Sequence, residues 1–448
     1  MHKLSSMSLI ALILILTEVS LAICKIPDDL EKPINPTQRM ECLKNSYFLQ
    51  PEQSNVDLGL AVRGPELKGE LTFDYQEQVY CRYFYRYQNG SSNKFRCYRT
   101  NEKNQLMNDK GEVVSQAVSV GTFNSDQEDV LFDAQGKAIL TTKGKQMKAD
   151  VLKVRFQDGS KRHRENYSST VASRIAWIMG FPTENYYSVK NVYCFGCEKN
   201  PWNNGLKPQL IYNPQVANNF LYASIERKHE AKRVIKAYVP QNKKFETAPW
   251  KWEEYMQYWA QLTYEQKIGI QVLGIFANFL QTVENRGSQH VLLCEKEYYN
   301  KESNTCVKTL AGTHDIGSAF GNRDIKWLDQ QTKNHPRADF DSYNDVKIFK
   351  PGTCDLVSVP GGPKGRLTTI SEEARIEFVR RSNVLNYSMI KEILRSAYFQ
   401  YADLIKREQI RQKEKIIDEQ SLNERMLDLW TTAIQAKLDV IRNARCSQ

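Results

Sequence analysis

Residues 312–322, with the sequence GTHDIGSAFGN, place one acid, Asp315, among glycines and small polar residues. An aspartate on such bare backbone could hold a metal ion that carries a phosphate group, because carboxylate oxygens are ligands that Mg²⁺ prefers. The neighbouring glycines would let backbone and phosphate approach closely. A lone D-x-G sequence is more often a plain turn, so Asp315 needs supporting residues elsewhere in the chain.

A second candidate group precedes Asp315 in the stretch ENRGSQ, which contains Glu284 and Gln289. Kinase-type catalytic loops carry an acid and, five residues later, a carboxamide, and a D-x-G metal site follows the next hairpin. Here a long apolar helix is predicted over 263–283, and HVLLC and CVKTLAG form the predicted hairpin before Asp315. This order of elements favours phosphoryl-transfer chemistry, with Glu284 as the catalytic carboxylate and with Gln289 and Asp315 as metal ligands.

Six stretches extend this pattern: VLKVRF, STVASRIAWIMGFPTENYYSV, VYCFGCEKNPW, ASIERK, FANFLQTVENRGSQHVLLC and HDIGSAFG. In that order they resemble a family of uncharacterised exported bacterial proteins, itself distantly similar to the HipA and phosphatidylinositol-kinase-like branch of the kinase superfamily. The resemblance spans roughly residues 126–325. It implies an α+β, two-lobed kinase-like fold with a β-rich N-lobe and a helical C-lobe.

The resemblance also implies ligands and roles. Lys153 would contact the phosphates of ATP, with Arg155 on the same strand face as the alternative cation. Glu226, in the stretch SIERK, would lie near the nucleotide between the lobes, and Mg²⁺ would accompany ATP. The phosphate acceptor stays open among protein, lipid and small molecule.

Several departures from the kinase pattern leave catalysis open. The loop acid is Glu284 instead of the usual aspartate, and no Gly-rich loop precedes Lys153. A helix is predicted over 168–179, with Ser168 or Ser169 as its cap, and no glutamate falls inside it. A misplaced base can cost about a hundredfold in rate. The alternatives are a catalytically inactive pseudokinase and an envelope-associated binding or structural protein. A hydrolase ranks last, because the chain has no G-x-S-x-G or H-E-x-x-H motif.

The N-terminus predicts export. MHK, the apolar run LIALILIL and TEVSLA form a signal peptide over 1–22, which is too short in its apolar part to span a bilayer. Cys24 lies close to the predicted cleavage point, but Ile23 before it argues against lipidation. Ten cysteines agree with an oxidising compartment, so we expect a periplasmic or secreted protein.

Two cysteine pairs are predicted from the sequence, and the pairing of a third set of cysteines stays open. Cys81 and Cys97 flank an Asn-Gly hairpin turn and are predicted to lie directly opposite each other. Cys294 and Cys306 would close another hairpin. The CFGC stretch has redox or half-zinc-site spacing, but a structural disulfide, or two separate bridges, is favoured since no second C-x-x-C follows.

Composition and residue patterns divide the remaining chain into segments. A hydrophobic fraction of 41% and 448 residues indicate a folded protein of more than one lobe. The net charge of +10 fits an anionic partner such as a nucleotide, while no compact basic block indicates nucleic acid. After the signal peptide we expect a β-rich extension (23–125), an N-lobe (126–235), a C-lobe (236–369) and a helical tail (370–448). No internal repeat is evident, and the sequence does not indicate an oligomeric state.

Overall fold

The computed structural model describes residues 23–28, 34–53, 55–66, 72–84, 93–121, 129–157, 165–201, 213, 215–228, 231–235, 249–282, 287–321, 338–357 and 362–446. Within these ranges the chain is a mixed α+β protein with ten α-helices and several sheets. This agrees with the predicted α+β class.

Fourteen strands are described: β1 (Cys24–Lys25), β2 (Ser46–Tyr47), β3 (Gln78–Phe84), β4 (Lys94–Thr100), β5 (Ser119–Val120), β6 (Leu131–Phe132), β7 (Val151–Arg155), β8 (Asn185–Phe195), β9 (Ala217–Arg227), β10 (Lys232–Arg233), β11 (His290–Cys294), β12 (Tyr299–Asn300), β13 (Thr305–Cys306) and β14 (Thr309–Thr313). The helices are α1 (Pro36–Lys44), α2 (Leu58–Arg63), α3 (Glu165–Ile178), α4 (Trp252–Gln257), α5 (Tyr264–Leu280), α6 (Phe340–Asp345), α7 (Glu372–Arg381), α8 (Tyr387–Ser396), α9 (Leu404–Glu414) and α10 (Glu419–Asn443).

Strands β3, β4, β7, β9 and β8 close into a five-stranded barrel, in that order. Alternate side chains of these strands point inward and form an apolar core that includes Val79, Phe95, Val154 and Ile225. Strands β3 and β4 belong to the predicted extension 23–125, whereas β7, β8 and β9 belong to the predicted N-lobe. A boundary at residue 125 therefore passes through one closed barrel.

A second, four-stranded sheet has the strand order β10-β11-β14-β2. Strands β11 and β14 pair antiparallel, as the hairpin prediction requires, and β14 continues towards Asp315. The long helix α5 begins at a Thr263 cap with a capping box and is buried along most of its length. Its apolar residues join α7, α8 and α10 in the largest hydrophobic core.

Helix α3 begins earlier than predicted. The expected cap, Ser168 or Ser169, lies inside the helix, which starts at Glu165. Ser168 and Ser169 are fully buried, and the Ser168 hydroxyl donates a hydrogen bond to the backbone oxygen of Gly317. Tertiary contacts thus occupy the hydroxyl that was expected to cap the helix. The expectation that no glutamate lies in this helix is wrong, because Glu165 is its first residue.

The same five-residue turn occurs four times, at 101–105, 108–112, 133–137 and 141–145. In each turn a side-chain oxygen of the first residue accepts a hydrogen bond from the backbone N–H of the fifth. The fourth residue, Asn104 or a glycine, has a φ between 60° and 79°. This left-handed conformation explains why asparagine or glycine stands there. The repeated turn is not evident in the sequence, because only the first and fourth residues of each turn are restricted in type.

The ten cysteines form five disulfides: Cys24–Cys42, Cys81–Cys97, Cys194–Cys197, Cys294–Cys306 and Cys354–Cys446. The bond between Cys81 and Cys97 forms as predicted, but not between directly facing residues. The β3–β4 register pairs Cys97 with Tyr83 and Cys81 with Arg99. The sulfur of Cys24 is bonded to Cys42, so that thiol is not free to carry a lipid. Five disulfides are compatible with an exported protein.

Among the described residues, no helix combines the length and the apolar character that crossing a membrane requires.

Candidate functional site

Arg155, at the end of β7, is the centre of a buried ion network. Its guanidinium donates to Glu165 at the start of α3, and it contacts the Glu226 carboxylate at 3.2 and 3.0 Å. It also donates to the Tyr186 hydroxyl at 3.1 Å and lies 3.5 Å from the Asp315 carboxylate. One arginine therefore joins the barrel, α3 and the loop that follows β14.

Lys153 lies two residues earlier on the same strand face and donates to the other oxygen of Glu226. The side chains of Lys153 and Asp315 are 16% and 15% exposed. Those of Arg155 and Glu226 are 2% and 1% exposed. Lys153 and Asp315 are thus the two ends of the network that a ligand can reach, whereas Arg155 and Glu226 support them from beneath.

Both central acids stay ionised. Burial alone would raise the pKa of Glu226, but Lys153 and Arg155 outweigh it and hold that pKa well below its usual range. Burial likewise opposes ionisation of Asp315, and Arg155 together with His314 lowers its pKa below the ordinary value. An ionised aspartate with partial exposure can bind a cation at neutral pH.

The loop after Asp315 packs tightly against helix α3. The backbone N–H of Gly317 donates to the Asp315 carboxylate at 3.2 Å, which fixes the orientation of the acid. A Cβ atom at Gly317 would collide with the side chains of Glu165 and Ser169. This glycine therefore serves the contact between the loop and α3, whereas the sequence suggested that such glycines serve phosphate approach.

A second acidic residue, Glu184, precedes β8 and pairs with His314. The His314 Nδ1 atom lies 2.7 Å from Glu184 Oε1, and Arg233 lies 3.6 Å from the same oxygen. Burial and the nearby Glu226 raise the pKa of Glu184. Burial lowers the pKa of His314, but Glu184 more than compensates, so this pKa lies above its ordinary value. The pair borders the Arg155 network, because Asp315 directly follows His314 in the chain.

Lys94 adds a buried cation to the barrel wall, opposite Arg155 on the neighbouring strand β4. Its side chain is largely buried, and burial together with Arg155 and Lys153 lowers its pKa to about 8. Glu165 and Asp315 partly offset this shift. The wall beside Asp315 therefore carries three cations, Lys94, Lys153 and Arg155, which face the acids of the network.

Replacing Lys94 by methionine is expected to stabilise the protein at neutral pH. The folded-state pKa lies below the unfolded value, so the charged lysine costs stability below pH 8, and this cost falls as the pH rises towards 10.5. We expect a gain in unfolding free energy on the order of 3 kcal/mol at most at pH 7, falling by about half at pH 9.5. Urea unfolding at both pH values measures it.

The exposed Lys148, which pairs with Asp129, provides the matched control. Lys148→Met should change stability little at either pH. Two results would contradict this account of Lys94. One is a Lys94→Met variant that is less stable than the wild type at pH 7, and the other is the same change in unfolding free energy at both pH values.

The structure brings together Lys153, Arg155, Glu226 and Asp315. Gln289 lies beside them, since its backbone oxygen accepts a 2.7 Å hydrogen bond from the N–H of His314. Glu284 lies outside the described residues. Sequence reasoning did not assign roles to three further residues of the cluster, Glu165, Glu184 and Lys94. Glu165 could have been found from the sequence, because it stands three residues before the start of the predicted helix 168–179.

Comparison with known proteins does not assign this chain to a family. No protein-family model matches this sequence, and the curated proteins include no significant match to it.

Proposed function

We propose that the site formed by Lys153 and Asp315 binds a magnesium–nucleotide complex, with ATP as the nucleotide, and that the chain is a kinase-like phosphotransferase. The observation that carries this proposal is the shared network of Lys153 and Asp315. These residues come from distant parts of the chain, yet both are bound to Arg155 or its partner Glu226 and both remain partly exposed. Such a pair can hold the phosphates from one side and their metal from the other.

The order of the elements supports a kinase-like arrangement. Kinases pair a strand cation with a glutamate of the following helix and place a D-x-G aspartate beside this pair. Here strand β7 supplies Arg155, helix α3 supplies Glu165, and Asp315 lies 3.5 Å from the arginine. The kinase cation is normally a lysine, so we assign Arg155 to positioning and the more exposed Lys153 to phosphate contact.

The oxygen ligands suit magnesium. No group of three or more His, Cys, Asp or Glu side chains in the described part of the chain is placed to hold a metal ion. Magnesium commonly binds through one or two carboxylates plus substrate phosphates. Asp315 and the amide oxygen of Gln289 would hold it together with the nucleotide, and the ion would neutralise charge that develops on the phosphates.

The remaining roles follow from chemistry. Lys153 would offset the negative charge of the phosphate oxygens, and Arg155 would keep Asp315 in a fixed orientation. Glu284 would accept the proton of an acceptor hydroxyl as its oxygen bonds to the terminal phosphorus and ADP leaves. The acceptor could be a protein, a lipid or a small molecule. Five disulfides and the N-terminal signal favour action in an exported, oxidising setting.

Titration calorimetry with Mg-ATP tests the proposal, using the purified mature chain. Asp315→Ala should weaken Mg-ATP binding at least tenfold, because it removes the exposed carboxylate that faces the metal. Asp129→Asn is the control, since this partly exposed acid pairs with Lys148 away from the network. Absence of Mg-dependent binding in the wild type, or equal binding by the Asp315 variant, would refute the nucleotide site.

A turnover assay separates the two forms of this function. Phosphate release or transfer that the Asp315 variant lacks would indicate an active phosphotransferase. Binding without turnover would indicate a pseudokinase, which the longer side chain of Glu284 in the catalytic-loop position favours. No binding at all would leave an exported binding or structural protein.

A further inference from the structure

A cavity of about 140 Å³ lies between the barrel and the four-stranded sheet. It is lined by Thr183 and Glu184 before β8, Lys228 and Arg233 around the end of β9 and β10, and Val291 and Leu293 of β11. This volume is well below the 300–1,000 Å³ typical of sites for whole drug-sized ligands. It can take one planar ring system of a larger ligand.

Two buried polar atoms at this cavity lack hydrogen-bond partners among the described residues. Glu184 is 4% exposed, and its Oε1 atom faces His314 while its Oε2 atom has no partner. The hydroxyl of Thr183, 5% exposed, is also without a partner. A buried carboxylate oxygen without a donor is costly, so such atoms commonly mark the place of an absent ligand or water.

The cavity lies near the Lys153–Asp315 site that the proposed function uses. Glu184 is 2.7 Å from the ring of His314, which directly precedes Asp315 in the chain. Lys153 pairs with Glu226 across the barrel strands, and Glu226 also pairs with Tyr186, two residues after Glu184. A ligand with its ring in the cavity could extend its phosphates towards Lys153 and Asp315.

We propose that this cavity holds the nucleobase and that Glu184 selects a base carrying an amino group, adenine above all. This inference rests on the proposed nucleotide function and adds the specificity of the site. The exocyclic amino group of adenine donates to Glu184 Oε2, and the adjacent ring nitrogen accepts from the Thr183 hydroxyl. The apolar side chains of Val291 and Leu293 lie on the same side of β11 and cover one face of the ring.

The selection has a chemical cause. Hypoxanthine, the base of inosine triphosphate (ITP), carries a carbonyl oxygen where adenine has its amino group. That oxygen would face the carboxylate of Glu184 without a proton between them, so a buried acceptor would stay unpaired. A hydrogen bond to a charged group contributes enough to separate the two bases by roughly tenfold to a hundredfold in affinity.

Calorimetry with Mg-ATP, Mg-ITP and Mg-tripolyphosphate tests the inference. The wild type should bind ATP roughly ten to a hundred times more tightly than ITP. Glu184→Leu should lower ATP affinity to near the ITP value. Val291→Phe fills the cavity while both residues of the Glu184–His314 pair stay in the chain. It should therefore weaken both nucleotides, while tripolyphosphate, which has no base, binds as it does to the wild type.

The possible outcomes distinguish base selection by Glu184 from nucleotide binding as such. Equal affinity of the wild type for ATP and ITP would overturn base selection and leave nucleotide binding intact. Unchanged ATP binding by Val291→Phe would show that the base lies elsewhere. If neither nucleotide nor tripolyphosphate binds the wild type, the proposed function itself fails, and the inference fails with it. If Glu184→Leu does not fold, the wild-type comparison and Val291→Phe still decide the question.

Discussion

Arg155→Met should destabilise the protein by about 3 to 5 kcal/mol, because it removes the cation from a buried ion network. The arginine is 2% exposed and contacts Glu165, Glu226 and Asp315. Without it, Glu165 and Glu226 remain buried with less compensation, and part of that cost appears as raised pKa values. Urea unfolding at pH 7, followed by far-ultraviolet circular dichroism, measures the change in unfolding free energy.

Lys153→Met is the matched control for this prediction. Lys153 lies on the same strand face but contacts one carboxylate and is more exposed than Arg155. We expect a smaller loss of stability, and a loss of Mg-ATP affinity if the nucleotide site is correct. A Lys153 variant as unstable as the Arg155 variant would mean that both cations, and not Arg155 alone, support the folded network.

Removing the Cys354–Cys446 disulfide has the second large expected effect. The bond joins residues 92 apart and ties the end of α10 to the segment before α7. Loop-closure entropy predicts a loss of about 4.5 kcal/mol when both cysteines are replaced by serine. Calorimetric unfolding of the double variant should show a lower midpoint and earlier loss of the helical tail.

The Cys194–Cys197 disulfide offers a control within the same chain, since its cysteines are three residues apart. The same relation predicts a loss of about 2 kcal/mol for this short loop. If removing the Cys194–Cys197 disulfide lowers stability as much as removing Cys354–Cys446, chain entropy does not explain the stabilisation. Helix α7 could then hold the C-terminus alone, through Glu372 and its hydrogen bond with the backbone of Cys446.

Local signals in the sequence located several elements correctly. The apolar run over 263–283 predicted α5, and the hairpin predicted from HVLLC and CVKTLAG corresponds to β11 and β14. The closure of β3 and β4 with β7, β8 and β9 was not predicted, because the pairing of β3 with β8 joins residues more than a hundred positions apart. Such long-range pairing leaves little trace in local periodicity.

The candidate site was predicted only in part, because some of its residues meet through long-range contacts. The strand face with Lys153 and Arg155 and the D-x-G motif at Asp315 could be found by pattern. The buried position of Arg155 could not, because it depends on where α3 begins. Glu184 was not identified as a site residue, since its partner His314 is far away in the sequence and the two meet through folding.

The first described strand has a consequence for how the chain reaches its folded form. Cys24 of β1 faces Cys306 of β13, and Ser46 of β2 faces Thr309 of β14. A chain crossing a membrane from its N-terminus would deliver β1 and β2 long before these partners, which arrive after more than half of the chain has followed. Early segments would therefore wait unpaired, and assistance by chaperones and disulfide exchange enzymes would matter most in that interval.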